Sequence, residues 1–199
     1  MEGVRPMFER FTKDARRAVE TAQQYAAEVH AVEVREEHLA LGVVTATDSP
    51  AVSALELAGA TAEVRARLQA ELIALCRRAG VTDADADALR ELGIDVDEVL
   101  DRLEELAQVP AGWPATRLRD RLFRRRVSDG TVLPAVPWSD NAKGVLERAL
   151  REAVDRRDAH IDDGHVLVAL LNGDGVVAET MARHDITYTV VRRALAQRN

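Results

Sequence analysis

Displaced by 127 residues and laid over itself, the chain keeps one register from Phe11 to Val44 without a gap. Phe11 then meets Trp138, Thr12 meets Ser139, Ala15 meets Ala142, Glu20 meets Glu147, Ala22 meets Ala149 and Ala26 meets Ala153. Val34 meets Ile161 and His38 meets His165. Identities are few. A hydroxyl-bearing cap, an apolar stripe and a histidine nevertheless fall together, which marks an internal repeat.

The repeated unit reads as helical. In the stretch from Phe11 to Val29, the residues Phe11, Ala15, Ala18, Val19, Ala22, Tyr25, Ala26 and Val29 form one stripe at the helical period. Thr12 is placed to cap that helix, with Asp14 in the favourable first turn. Ser49 followed by Pro50, with Gly59 beyond, delimits a further helix. Another opens at Thr61 and closes near Gly80. No segment shows strand alternation joined by hairpin turns, so the expected class is all-α.

A second pattern occurs three times: "SALELAGATAEVRARL", "DALRELGIDVDEVLDRL" and "ETMARHDITYTVVRRAL". Met181 matches Leu89, Ile186 matches Ile94, Val191 matches Val99 and Leu195 matches Leu103. Each version is a short helix, a tight turn, a cap and a longer helix. The expected architecture is therefore two pseudo-symmetric four-helix repeats, over 7–79 and 138–199. An inserted helical hairpin at 83–107 and a Pro/Arg-rich linker at 108–137 separate them, all within one globular unit.

Only 4% of residues are aromatic, so Leu, Val and Ala must fill the core. The net charge of −7 does not favour nucleic acid as a partner. The one cysteine, Cys76, permits no internal disulfide and suits a reducing compartment. No apolar run reaches membrane-span length and the charged start lacks a signal core, so a cytoplasmic protein is expected.

"MFERFT" at 7–12, the Ala-rich helix after it, and "VREEH" and "IDDGH" ahead of apolar runs resemble the amino-terminal Clp repeat domain of ClpC- and ClpA-type unfoldases. The stretch from Pro137 to Leu171 resembles the second repeat of that domain. The resemblance spans roughly residues 7–79 and 138–197. The hairpin and the end just past the last helix resemble free-standing actinobacterial Clp-repeat proteins. This resemblance implies a non-enzymatic module that receives Clp substrates, adaptors or Clp protease components. It also implies a phosphoarginine or peptide site at Thr12 and Glu37, and a second at Ser139 and Lys143. Gly164 stands at the glutamate position of the second copy, and glycine cannot pair with a guanidinium. Arg35 and Glu36 replace the family's Gly-Thr in the first. Glu37 also reads as a first-turn acid that favours the helix dipole. As the family domain is a target of cyclic peptide antibiotics, a decoy that sequesters such compounds is a second reading.

No Walker A loop and no G-x-S-x-G elbow occurs, so neither ATP hydrolysis nor peptide cleavage is expected, and no cofactor. His38 and His165 lack the spacing of metal ligands; both are expected as packed histidines near a helix start. The competing reading is a hydrolase using His38 or His165 with Asp162 or Asp163. In the linker, Arg117, Arg119, Arg121 and Arg124 to Arg126 accumulate around Leu118, Leu122 and Phe123. They read as a solvated helix packed through its apolar residues, or as a docking segment for an acidic partner or a weak nucleic-acid contact. Trp113 reads as a loop anchor, and Cys76 as a small buried group.

Overall fold

Six of the described helices begin at a residue whose side chain accepts a hydrogen bond from the first turn. In the computed structural model, which describes residues 9–107, 124–126, 132–134 and 136–197, α1 (Lys13–Glu28) follows Thr12, whose hydroxyl accepts from the Ala15 N–H at 3.3 Å. Then come α2 (Glu36–Val44), α3 (Pro50–Leu57) capped by Ser49, and α4 (Ala62–Arg77) capped by Thr61. The hairpin is α5 (Asp83–Glu91), capped by Thr82, and α6 (Val96–Ala107). After the linker come α7 (Asp140–Asp155) capped by Ser139, α8 (Asp163–Leu171) capped by Asp162, α9 (Val176–Ala182) and α10 (Tyr188–Ala196). The fold is all-α, as the periodicity requires. No helix among the described residues is long and apolar enough to cross a membrane.

One part of the linker departs from expectation. Arg124–Arg126 (β1) pairs antiparallel with Val132–Pro134 (β2), so these three arginines stand in a short ribbon rather than on a helix. Trp113, Arg117, Leu118, Arg119, Arg121, Leu122 and Phe123 lie outside the described residues.

The third helix of each four-helix set packs on the other set. Helix α3 lies on α8 and α10, while α9 lies on α2 and α4. Two parallel backbone bridges repeat the crossing at the helix starts. Thr12 N–H donates to the Ile161 carbonyl at 2.9 Å and Ile161 N–H to the Arg10 carbonyl at 2.9 Å. In the matching place, Ser139 N–H donates to the Val34 carbonyl at 3.0 Å and Val34 N–H to the Pro137 carbonyl at 2.7 Å. The four bonds satisfy backbone groups that are otherwise orphaned ahead of a helix. Leu39, Leu55, Leu68 and Leu72 share one core with Ile161, Leu167, Met181 and Ile186.

The three hairpin turns are alike. Gly59, Gly93 and Asp185 occupy matching places with φ of 93°, 82° and 61°. After each, the next N–H returns to a carbonyl five residues back: Ala60 to Leu55, Ile94 to Leu89, Ile186 to Met181. This is the left-handed helix stop that glycine makes easily.

Candidate functional site

Because the sets cross, the start of α1 faces the loop before α8. Thr12 lines a cavity of about 230 Å³ with Arg156, Asp158, Asp162, His165 and Leu195. Glu37, which the sequence groups with Thr12, is not among its lining. Ser139 is correspondingly joined to Val34 of the first set, away from Gly164 with which the sequence groups it. The structure therefore pairs each helix start with the loop of the opposite copy.

The two histidines hold equivalent positions but opposite electrostatics. His38 and His165 are both buried, and each Nδ1 accepts a backbone N–H three residues back, from Arg35 and Asp162, both at 3.1 Å. In the second copy, Asp158 lies 3.0 Å from His165 Nε2 and Asp162 Oδ1 lies 2.7 Å from Nδ1. Burial opposes charge on His165, yet the hydrogen bonds and charge of Asp162, then those of Asp158, prevail and raise its pKa. Arg156 binds the same Asp158 Oδ2 at 3.3 Å and reaches the Leu195 carbonyl at 3.2 Å. In the first copy, the 127-residue register puts Ala31 where Asp158 stands and Arg35 where Asp162 stands. Burial, then the Arg35 charge, pull His38 down to about 4. Its Nε2 has no hydrogen-bond partner, so His38 is a neutral packed ring. Neither histidine meets Asp163, whose Oδ1 accepts from Ala51 N–H at 3.2 Å.

Glu37 is 2% exposed, with Oε1 unpaired. It points towards the end of α4: a Cβ on Gly80 would stand 3.6 Å from its Oε1 and 3.7 Å from Arg35 Nη1. Burial pushes its carboxyl up to about 7, against the hydrogen bond from its own backbone and the Arg35 charge. Gly164 is not an open gap either. A Cβ there would stand 2.8 Å from Leu195 Cδ2, so the end of α10 fills the place of a side chain. Ser139 caps α7, accepting from Ala142 N–H at 3.1 Å. Lys143, one turn on, is exposed and pairs with Asp140 at 2.8 Å. Cys76 is buried, and that burial, with the nearby Glu37 charge, pushes its thiol up to about 12. Among the described residues no group of three His, Cys, Asp or Glu side chains is placed to hold a metal ion.

Sequence reasoning missed a crossed pair of helix caps. Asp163 accepts from the Ser49 hydroxyl and from Ala51 N–H, at the start of α3 in the other set. Glu36, its equivalent by register, accepts from Val177 N–H at the start of α9. Burial raises both carboxyl pKa values. Glutamate is one methylene longer than aspartate, and Gly175 replaces Ser49 to make room. A Cβ on Gly175 would stand 2.0 Å from Glu36 Oε1. Gly175→Ser is therefore expected to displace the Glu36 carboxylate from the Val177 N–H, at a cost of about 1 kcal/mol. Adding Glu36→Asp, which rebuilds the Asp–Ser combination of the other copy, is expected to recover at least half of that in a double-mutant cycle by urea unfolding. Additive losses would disprove the size exchange. The acids were visible in the sequence as first-turn residues; their targets, over 100 residues distant, were not.

Residues 10–108 match the family described as the Clp repeat (R) N-terminal domain. Among solved structures, a chain from structural investigations of a malarial protein secretion system is similar over 95% of this chain and 94% of its own, with a TM-score of 0.59 and 12% identity. At that identity the likeness is one of fold. The N-terminal domain of the caseinolytic protease associated chaperone ClpD from Arabidopsis thaliana is similar over 96% of this chain and 98% of its own, at 19% identity and a TM-score of 0.48.

Proposed function

Because the chain belongs to the Clp repeat N-terminal domain family, whose members are substrate- and adaptor-binding modules of Clp unfoldases, we propose that it is a non-enzymatic protein- or peptide-binding module that regulates Clp proteolysis in the cytoplasm. The observation that carries this reading is the cavity at the crossing of the two helix sets, where Thr12 meets Asp158, Asp162 and His165. Its volume suits one side chain of a bound segment, and its walls offer a hydroxyl, two carboxylates and an imidazole. Thr12 is the contact we assign first, as the cap hydroxyl in the cavity. The matching start of α7, with Ser139 and the exposed Lys143, is the second. Glu37 serves a peptide or phosphoarginine only if the packing at the end of α4 opens, since its carboxyl is buried against Gly80.

The test is a reconstituted Clp unfoldase–protease degrading labelled casein, with the chain added in increasing amounts. A saturable change in degradation rate, of about twofold or more, is expected. Ala159→Trp fills the cavity from an exposed position on its wall and is expected to remove the effect without loss of folding. An unchanged rate at saturating chain would end the proposal. An effect untouched by Ala159→Trp would move the site elsewhere.

A further inference from the structure

Among the described residues, the inserted hairpin keeps the apolar pattern of the hairpin formed by α9 and α10, but its matching side chains are less deeply buried. On α9, in the turn after it and on α10, Met181, Ile186 and Val191 are each 0% exposed. The matching Leu89 on α5 is half-buried, while Ile94 is 46% and Val99 44% exposed; Leu92 beside them is 77% exposed. The turn is the same, with Gly93 at φ 82° against Asp185 at 61°. Ala86 is the buried apolar residue of α5, and Arg78 ties α6 to the end of α4 through Asp97 at 2.9 and 3.0 Å. Elsewhere in the molecule this stripe is covered by short apolar helices: α9 by α2, and α10 by α3 and α8.

Charge sets the hairpin apart as well. Between 83 and 107 the chain carries Asp83, Asp85, Asp87, Glu91, Asp95, Asp97, Glu98, Asp101, Glu104 and Glu105 against Arg90 and Arg102. Ten acids less two bases leaves −8, enough to account for the net charge of −7 of the whole chain. Both bases are held by the hairpin's own acids, Arg90 by Asp87 at 2.6 Å and Arg102 by Glu98 at 2.6 Å. Exposed apolar side chains at the turn and the start of α6, Leu92, Ile94 and Val99, on a hairpin of net negative charge complement an amphipathic helix with Lys or Arg flanking its apolar face.

We propose that the α5–α6 hairpin is a docking surface for a cationic amphipathic helix of a partner protein, seated on Ile94, Val99 and Leu92 and flanked by the hairpin's carboxylates. This surface is separate from the Thr12 cavity, and the two proposals stand or fall independently.

The test titrates the full chain with a fluorescein-labelled helical peptide of Leu and Lys, about 18 residues or ~27 Å long, followed by anisotropy. A same-composition peptide with a scrambled apolar face is the control. Saturable binding is expected, about tenfold weaker for the scrambled peptide and weakened by raising salt from 50 to 200 mM, roughly one Debye-length regime to the next. The surface double variant Ile94→Ser with Val99→Ser is expected to weaken binding about tenfold while leaving the circular-dichroism melt unchanged. Equal binding of the scrambled peptide, or of the double variant, would overturn the proposal. So would a dimer in sedimentation that the double variant dissociates, since a second copy would then be the occupant. Strong hydrogen-exchange protection of α5 and α6 in the free monomer would overturn it too, by showing that the chain covers this face itself.

Discussion

Gly42→Ala is expected to destabilise the protein by about 3 kcal/mol or more, a large part of the ~5–15 kcal/mol that holds a domain together. A Cβ at Gly42 would stand 2.2 Å from the Ala18 carbonyl oxygen and 3.1 Å from its carbon. Both are main-chain atoms inside α1, and neither can rotate away. The helices would have to separate, and α2 is the element that touches α1, α4, α7, α8 and α9. Ala15, Ala18, Ala22 and Ala26 make that side of α1 flat enough for the close approach. The register places the larger Val145 and Ala169 at the same two points in the second copy, so the tight crossing belongs to the first. A chain of this length loses roughly 2–4 °C of Tm per kcal/mol, so a drop of roughly 10 °C is expected. Gly59→Ala is the control: nothing stands within 4 Å of its Cβ, and only φ of 93° opposes the change, about 1 kcal/mol. A Gly42→Ala melt within about 3 °C of the parent would refute the close approach.

Glu37→Gln and His38→Asn are expected to unmask two opposed pH dependences hidden in adjacent residues. Glu37 has a folded pKa of about 7 against an ordinary value of 4.5. The folded chain keeps a proton that the unfolded chain has released, so this contribution is full below pH 4.5 and is lost as pH rises to 7. His38 has a folded pKa of about 4 against 6.5. There the unfolded chain takes the proton first, so the contribution is full above pH 6.5 and is lost as pH falls to 4. Each difference corresponds to about 3 kcal/mol, at about 1.4 kcal/mol per pH unit of displacement. Between pH 4.5 and 6.5 the two slopes cancel. Relative to the parent, Glu37→Gln should therefore gain about 3 kcal/mol between pH 4.5 and 7. His38→Asn, whatever its constant cost from imperfect packing, should lose a similar amount between pH 4 and 6.5 relative to its value at low pH. Denaturant midpoints measured across pH 4 to 8 read both. Variant curves running parallel to the parent would show that neither group is displaced as stated.

The opposed histidines illustrate how far the sequence could be read. The register put His38 and His165 in one place, and both are buried near a helix start as the apolar runs after them imply. Their charges differ because Ala31 and Arg35 in one copy become Asp158 and Asp162 in the other. Those four residues were open to inspection. That a residue seven positions upstream faces the ring follows from the path of the loop into α8, for which no periodicity exists. The hairpin at 83–107 is the opposite case. Its Leu89, Ile94 and Val99 match the buried Met181, Ile186 and Val191 residue for residue, and sequence pattern alone implies that they are buried too. Its exposure depends on what packs over it, which is a property of the assembly of elements.

By itself the sequence determined the elements: the caps at Thr12, Ser49, Thr61 and Ser139, the helix stops at Gly59 and Gly80, the helical stripes, and the equivalence of the two copies. These are local, set by hydrogen bonds and side-chain spacing within a turn or two of helix. Only the tertiary structure decided which copy each equivalent residue touches. A register of 127 residues is satisfied equally when Thr12 faces its own copy's loop and when it faces the other's. The backbone bonds from Thr12 to Ile161 and from Ser139 to Val34, with the carboxylates of Glu36 and Asp163 reaching across to α9 and α3, select the crossed arrangement. In the crossed arrangement, partners distant in sequence satisfy the donors left open at those four helix starts.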